Sequence, residues 1–148
     1  ASTLTDGASA LVLMSKEKAD ELHIKPIAKV VSYADAAQEP KWFTTAPAKA
    51  VPKALAKANL SAGDIDYWEL NQAFSVVGLV NTKLLGLDPA KVDVNGGAVA
   101  LGHPLGATGA RITGKAAELL RRENKKYALS SQCIGLGMGI ATIIENVN

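Results

Sequence analysis

Cysteine, histidine and aromatic residues are all scarce in this chain. One cysteine and two histidines stand among 148 residues. A single thiol cannot close an internal disulfide, and one cysteine with two distant histidines falls short of a zinc site in count and spacing, so no metal is expected. That cysteine usage suits a reducing intracellular compartment, the cytoplasm ahead of the mitochondrion or peroxisome. Charge is modest too, since 16 Lys and Arg against 14 Asp and Glu leave +2. The balance decides little by itself. No apolar run reaches the roughly 20 residues that span a bilayer, and Ala1-Ser2-Thr3 has neither the basic region nor the hydrophobic core of a signal peptide, so the chain reads as soluble. It opens without methionine in Ser2-Thr3-Leu4-Thr5-Asp6-Gly7, a turn that reads as the middle of a longer protein, with the chain as its processed or excised C-terminal part.

What is present is apolar and small. About half the residues are hydrophobic (48%), only 5% are aromatic, and 13 are glycine, a composition that fits a close-packed α/β protein. A length of 148 suits one domain over residues 1–148. Ala8 to Ser15 is an apolar run bounded by turn signals, as in a buried strand, and Glu17 to Leu22 follows as a short helix. Ile27 to Ala34 fits a second strand, leading to a loop from Asp35 to Thr45 under which Trp42 and Phe43 pack. Pro47 and Pro52 suit the approach and first turn of a helix running to about Asn59. Ile65 to Leu70 reads as a strand and Ala73 to Leu85 as a helix, so Asn71-Gln72 lies where a strand's carboxyl end meets a helix start, the place where open α/β sheets bind ligands. Val92 to Val94 is a short strand, Thr108 to Arg122 an amphipathic helix, and Tyr127 to Gln132 and Ile140 to Glu145 are the last strands. The cations at the end of that helix, Arg121, Arg122, Lys125 and Lys126, complement its dipole and do not form a nucleic-acid patch.

Two phosphate-binding patterns fail on inspection. Gly109 to Lys115 has P-loop spacing, but Ala116 replaces the Ser or Thr that reaches Mg²⁺, and the pattern lies inside a helix. Gly135-Leu136-Gly137-Met138-Gly139 leads into a strand and offers no helix N-terminus to a pyrophosphate. Asn71, His103 and Cys133 remain, each beside glycines or at a strand end. Singly each has a plainer use, as a helix cap, an imidazole in a Gly-Pro connection and a small buried hydrophobe. Together a thiol and an imidazole can move protons near neutral pH.

Asn71-Gln72-Ala73-Phe74, then Asn95-Gly96-Gly97-Ala98 running into Gly102-His103-Pro104, then Cys133-Ile134-Gly135, resemble in order and spacing the three signature blocks of the C-terminal half of thiolases. The resemblance runs from Asp6-Gly7-Ala8 to the last strand. Ala46-Pro47 to Leu55 and Phe74 to Val99 look most like the acetoacetyl-CoA thiolases, or acetyl-CoA C-acetyltransferases; Cys133 to Gly139 also resembles the longer-chain 3-ketoacyl members of β-oxidation. The resemblance implies an α/β half with a mixed five-stranded sheet and helices on both faces. It implies an acyltransferase acting between acetyl-CoA and acetoacetyl-CoA through an acyl-cysteine, with coenzyme A thioesters as substrates and no tightly bound cofactor. The family's nucleophilic cysteine lies in an N-terminal half that this chain lacks, so the chain alone is expected to be inactive.

By the same resemblance His103 takes the proton from that nucleophile and donates to a thioester oxygen, and Cys133 moves the proton at the α-carbon of the second acetyl group. Asn71 holds a water of the enolate's oxyanion site, and the Gly135 amide helps form a second one. Phe74 and Ala73 line the acyl pocket, and Phe43 falls near the pantetheine channel. The implied partners are acyl-CoA and CoA, the N-terminal half and further copies in a homodimer or homotetramer. Two positions depart from the pattern. Gln72 replaces the glutamate usual after the asparagine, removing a charge that could tune the imidazole, and Leu136 stands where a small residue is common. Two other readings are a non-catalytic module that assembles with a partner half, and a nucleotide-binding module built on Gly109 to Lys115.

Overall fold

The computed structural model describes residues 1–147. Four strands form one mixed sheet: β1 (Ala28–Ala37), β2 (Tyr67–Leu70), β3 (Tyr127–Ile134) and β4 (Met138–Asn146). Their order is β1-β4-β3-β2, antiparallel at the β1/β4 and β3/β4 pairs and parallel at β2/β3. The mixed sheet with helices on both faces agrees with expectation, and its strand count is four where five were expected. Five helices accompany it: α1 (Lys16–Glu21), α2 (Pro47–Ala58), α3 (Ser75–Leu84), α4 (Ala98–Leu101) and α5 (Thr108–Arg122). None is long and apolar enough to cross a membrane.

The period-2 alternation of strands and the 3.6 period of helices decide which residues meet. Leu129 and Ile143 are paired on β3 and β4 and lie in one core with Trp68, Leu70, Ala141 and the α2 residues Ala50, Val51, Ala54 and Leu55. Ala128 and Ile144, one residue along, point to the other face, where they meet Ala116 and Leu120 of α5. Burying each such Leu, Ile or Val contributes about 1.5–3 kcal/mol relative to leaving it exposed. Helix α2 starts with Pro47 at its first position, where a missing N–H is harmless, and ends at Asn59 with φ of 54°. Pro52 lies on the exposed side inside the helix and not in its first turn. Helix α5 has the expected bounds and buries Thr108, Ile112, Ala116, Leu119 and Leu120.

Two expected strands are absent among the described residues. Ala8 to Ser15 has no regular structure and no strand partner, and Val12 and Leu13 are 85% and 77% exposed. Apolar character without a neighbouring backbone to bond cannot make a strand. Val92 to Val94 is cut to a single bridge, Trp68 to Val92. The next residue, Asp93, turns to φ of 47°, and its side chain takes the Leu70 N–H at 3.0 Å that a further strand's carbonyl would have accepted. The expected loop from Asp35 to Thr45 is also corrected: β1 continues to Ala37, and Pro40–Thr45 is a 3-10 turn. Trp42 on that turn is 55% exposed and does not pack beneath it.

Candidate active site

Parallel strands present the same end to one side, so β2 and β3 deliver the residues that follow them to one edge of the sheet. Asn71 follows β2, and its N–H donates to Ser131 of β3 at 2.9 Å. Cys133 lies two residues beyond Ser131 and pairs with Gly139 where β3 turns back into β4. The helix after Asn71 is not capped by it, because Phe74 occupies the cap position without a side-chain bond. The Asn71 amide is therefore free for other use. It is 2% exposed, its Nδ2 lies 3.4 Å from His103 Nε2, and its Oδ1 has no hydrogen-bond partner among the described residues.

His103 is held from three directions. Its backbone N–H donates to Thr3 at 3.0 Å, so the extended N-terminal arm forms one side of the site; Ser2 similarly donates to the Ala73 carbonyl at 2.9 Å. At the ring, Nδ1 is 2.7 Å from Thr108 Oγ1. The Thr108 hydroxyl has one proton and donates it to the Pro104 carbonyl at 3.0 Å, so it can only accept from the ring. This assigns the proton to Nδ1 and leaves the Nε2 lone pair facing Asn71. Burial, and then the positive charge of Arg111, lower the imidazole's pKa, keeping the ring neutral and basic at neutral pH. Burial pushes the Cys133 thiol upward, which makes it a proton donor at rest and a poor nucleophile. Both shifts favour the uncharged forms, a ring with a free lone pair and a thiol that keeps its proton.

Phe74 and Phe43 meet edge to face with centroids 5.9 Å apart, one after the Asn71 turn and the other on the Pro40–Thr45 turn. Ala73 lies between Asn71 and Phe74 and is partly buried. Gly135 follows β3 and is exposed, with nothing within 4 Å of the place a Cβ would take. The glycines before His103 mainly admit the chain itself and not a ligand. A Cβ on Gly97 would collide with the Gln72 amide, and one on Gly102 with the Thr5 side chain. A groove of about 750 Å³ runs along α3 past Leu79, Thr82, Lys83 and Val99 and meets this region only at Gln72. The reacting groups lie outside it, as suits an open half-site.

Of the expected site residues, Asn71 and His103 are brought together, and Thr108, Thr3 and Asp93, which the sequence reading did not name as site residues, hold them or their neighbours. Thr108 stands five residues after His103 at the start of a legible helix, and that spacing was the available signal. Thr3 and Asp93 are brought in by chain paths that no local pattern announces.

Known proteins resemble this chain in sequence and fold. Residues 24–146 match the family model described as thiolase, C-terminal domain. An acetyl-CoA acetyltransferase of Schizosaccharomyces pombe is 52% identical over 147 residues, covering 99% of this chain and 37% of that protein. The crystal structure of the Bacillus anthracis acetyl-CoA acetyltransferase superposes with a TM-score of 0.97 at 45% identity, over 99% of this chain and 37% of that one. The human mitochondrial 3-ketoacyl-CoA thiolase in complex with CoA gives 0.88 at 43% identity, over 90% and 34%. The chain thus spans little more than a third of the relatives it matches.

Proposed function

The chain belongs to the thiolase family, whose C-terminal domain it forms, and we propose on that premise that it is the C-terminal catalytic half of an acetyl-CoA C-acetyltransferase. Its substrates on this reading are coenzyme A thioesters, acetyl-CoA and acetoacetyl-CoA, with no tightly bound cofactor. The observation that carries the proposal is the fixed imidazole: Thr108 holds the proton on Nδ1, so Nε2 presents a lone pair beside the Asn71 amide.

In the first half-reaction His103 Nε2 takes the proton of a cysteine thiol supplied by an N-terminal half. The sulfur attacks the thioester carbonyl, and CoA leaves as its thiol on receiving that proton. In the second, the Cys133 thiol passes its proton to the neutral His103, and the thiolate so formed removes a proton from the α-carbon of acetyl-CoA. The enolate attacks the acyl-cysteine carbonyl, a carbon–carbon bond forms, and the carbon–sulfur bond to the nucleophile breaks, its sulfur taking the proton from His103. Thiolysis reverses these steps, with the Cys133 thiol giving its proton to the departing carbon. Asn71 and protonated His103 stabilise the enolate oxygen, the Gly135 amide serves the other oxyanion, and Phe74, Ala73 and Phe43 wall the acyl and pantetheine path. Losing one oxyanion donor costs about two to three powers of ten in rate.

The N-terminal half is the primary partner, and the exposed apolar run at Leu11, Val12 and Leu13 supports a surface that is covered on assembly. Pairing into a homodimer or homotetramer and a cytoplasmic location complete the proposal. The test mixes the chain with a nucleophile-bearing thiolase half and follows acetoacetyl-CoA thiolysis. The mixture is expected to turn over and the chain alone to be inert, with His103→Asn lowering the rate by about 10²–10⁴-fold. Robust activity from the chain alone, or from the mixture carrying His103→Asn, overturns the reading.

A further inference from the structure

The Asp93 carboxylate grips both neighbours of Asn71. Oδ1 accepts the Leu70 N–H at 3.0 Å, and Oδ2 accepts the Gln72 Nε2–H at 2.9 Å. The Asp93 backbone N–H donates to the Trp68 carbonyl at 2.8 Å, fixing the carboxylate against the end of β2. Gln72 is confined in turn, since its side chain fills the space beside Gly97 and Gly78 that a Cβ at either position would take or crowd. With its own N–H bonded to Ser131, Asn71 thus sits on a backbone clamped before it, at it and after it.

We propose that Asp93, acting through Leu70 and Gln72, is the positioning residue that aims the Asn71 amide at His103, and that the Asp93–Gln72 contact works as a carboxylate–amide pair. The inference rests on the reading of Asn71 as part of the site. It explains what the glutamine at 72 does: the carboxyl group expected there is supplied by Asp93 across the contact, and the amide is the complementary member. A carboxylate needs a donor opposite it, whereas two carboxylates at 2.9 Å would repel in a buried setting. Asp93 is 8% exposed.

A double-mutant cycle on the 148-residue chain decides between a positioning pair and a mere turn former. Gln72→Glu alone sets two carboxylates face to face and is expected to lower the thermal midpoint by about 4–8 °C. It should also shift the Asn71 side-chain amide and His103 imidazole resonances. Asp93→Asn alone keeps an acceptor for Leu70 and is expected to shift the same resonances less. Combining the two restores a carboxylate–amide contact with the roles exchanged, and both the midpoint and the resonances should return most of the way to those of the parent chain. If Gln72→Glu prevents folding, recovery of a folded chain in the double variant is the same rescue. Additive losses in the double variant, or Asn71 and His103 resonances unmoved in all three, overturn the proposal. The readouts need no turnover, so they fail separately from the catalytic assay above.

Discussion

On the α2 side of the sheet, Leu129 and Ile143 pack with Val51, Ala54, Trp68 and Leu70, and the buried Ser32 hydroxyl is absorbed by the Ala54 carbonyl at 2.7 Å. On the α5 side the same strands present Glu69, Ser130 and Ala128. There Lys115 reaches Glu69 at 3.0 Å and the Gly96 carbonyl at 2.7 Å, and Thr113 meets Ser130 at 3.1 Å. The α2 face is held by apolar packing, whereas the α5 face adds these directional contacts to its smaller apolar cluster of Ala116, Leu120, Ala128 and Ile144. Packing is tolerant of approach angle, whereas hydrogen bonds fix it. It is consistent that the bonds holding Asn71 and His103 come from the polar side and the edge beside it, at the cost of buried groups such as Glu69 Oε1 that have no partner among the described residues.

The dry face should show the largest response to a single truncation. Trp68→Ala removes the bulkiest side chain of that core, which is 2% exposed, and is expected to cost about 3–5 kcal/mol in denaturant-induced unfolding. A loss below about 1 kcal/mol would break the claim that this face carries the stability. On the polar face, Lys115→Met leaves Glu69 buried without its cation. Burial already raises the Glu69 pKa against the pull of Lys115, so the orphaned carboxyl can escape part of the penalty by taking a proton. The expected cost is about 3 kcal/mol at pH 8 and clearly less at pH 5. A cost independent of pH would show that the damage is steric and not electrostatic.

Thr108→Val sharpens the comparison at the site itself. It keeps the shape but removes the acceptor for the ring Nδ1–H and the donor to Pro104, and is expected to destabilise by about 1–3 kcal/mol. More telling is the tautomer. Nitrogen-15 shifts of His103 should show the single Nδ1–H form in the parent chain and a mixture in the variant. An unchanged tautomer would mean that Asn71, and not Thr108, fixes the ring.

Legibility in the sequence follows the same division. Helix α5 was readable to its bounds because its apolar stripe is long and regular, and β3 and β4 because each is a short run starting or ending in apolar residues and bounded by glycine or charge. The run from Ala8 to Ser15 looked equally strand-like, but strand formation depends on a partner that its own residues do not specify. Val92 to Val94 failed for a different reason, since the Asp93 side chain replaces a backbone acceptor, and side-chain mimicry leaves no periodic trace. At the site, the motif residues Asn71, His103 and Cys133 were visible from chemistry and resemblance. The residues that orient them were not, because Asp93 reaches Leu70 across 23 positions, and Thr3 reaches His103 across a hundred.

The smallest expected effect tests whether burial of the polar edge resists its ionisation. Burial, with the nearby Glu69 charge, raises the Asp93 pKa from its ordinary 3.8 to about 7, against the Leu70 N–H, Lys115 and the Gln72 amide, which favour the carboxylate. A carboxyl with a raised folded pKa binds its proton more tightly in the folded state. Its contribution to stability is therefore complete below about pH 4 and is lost as the pH rises through 7. Glu69 acts in the same direction. His103 opposes them, because its lowered pKa gives stability that is present above about 6.5 and lost as the pH falls. The Asp93 shift is the larger, so the thermal midpoint of the parent chain should rise as the pH is lowered from 8 to 6. Gln72 can rotate its amide to accept from the protonated acid as readily as it donates to the carboxylate, so the clamp on Asn71 should survive the change. Asp93→Asn should flatten the rise, leaving only the weaker Glu69 and His103 dependences. A parent midpoint that falls over this range, or a slope untouched by Asp93→Asn, would place the titrating group elsewhere and return Asp93 to the role of an ionised turn residue.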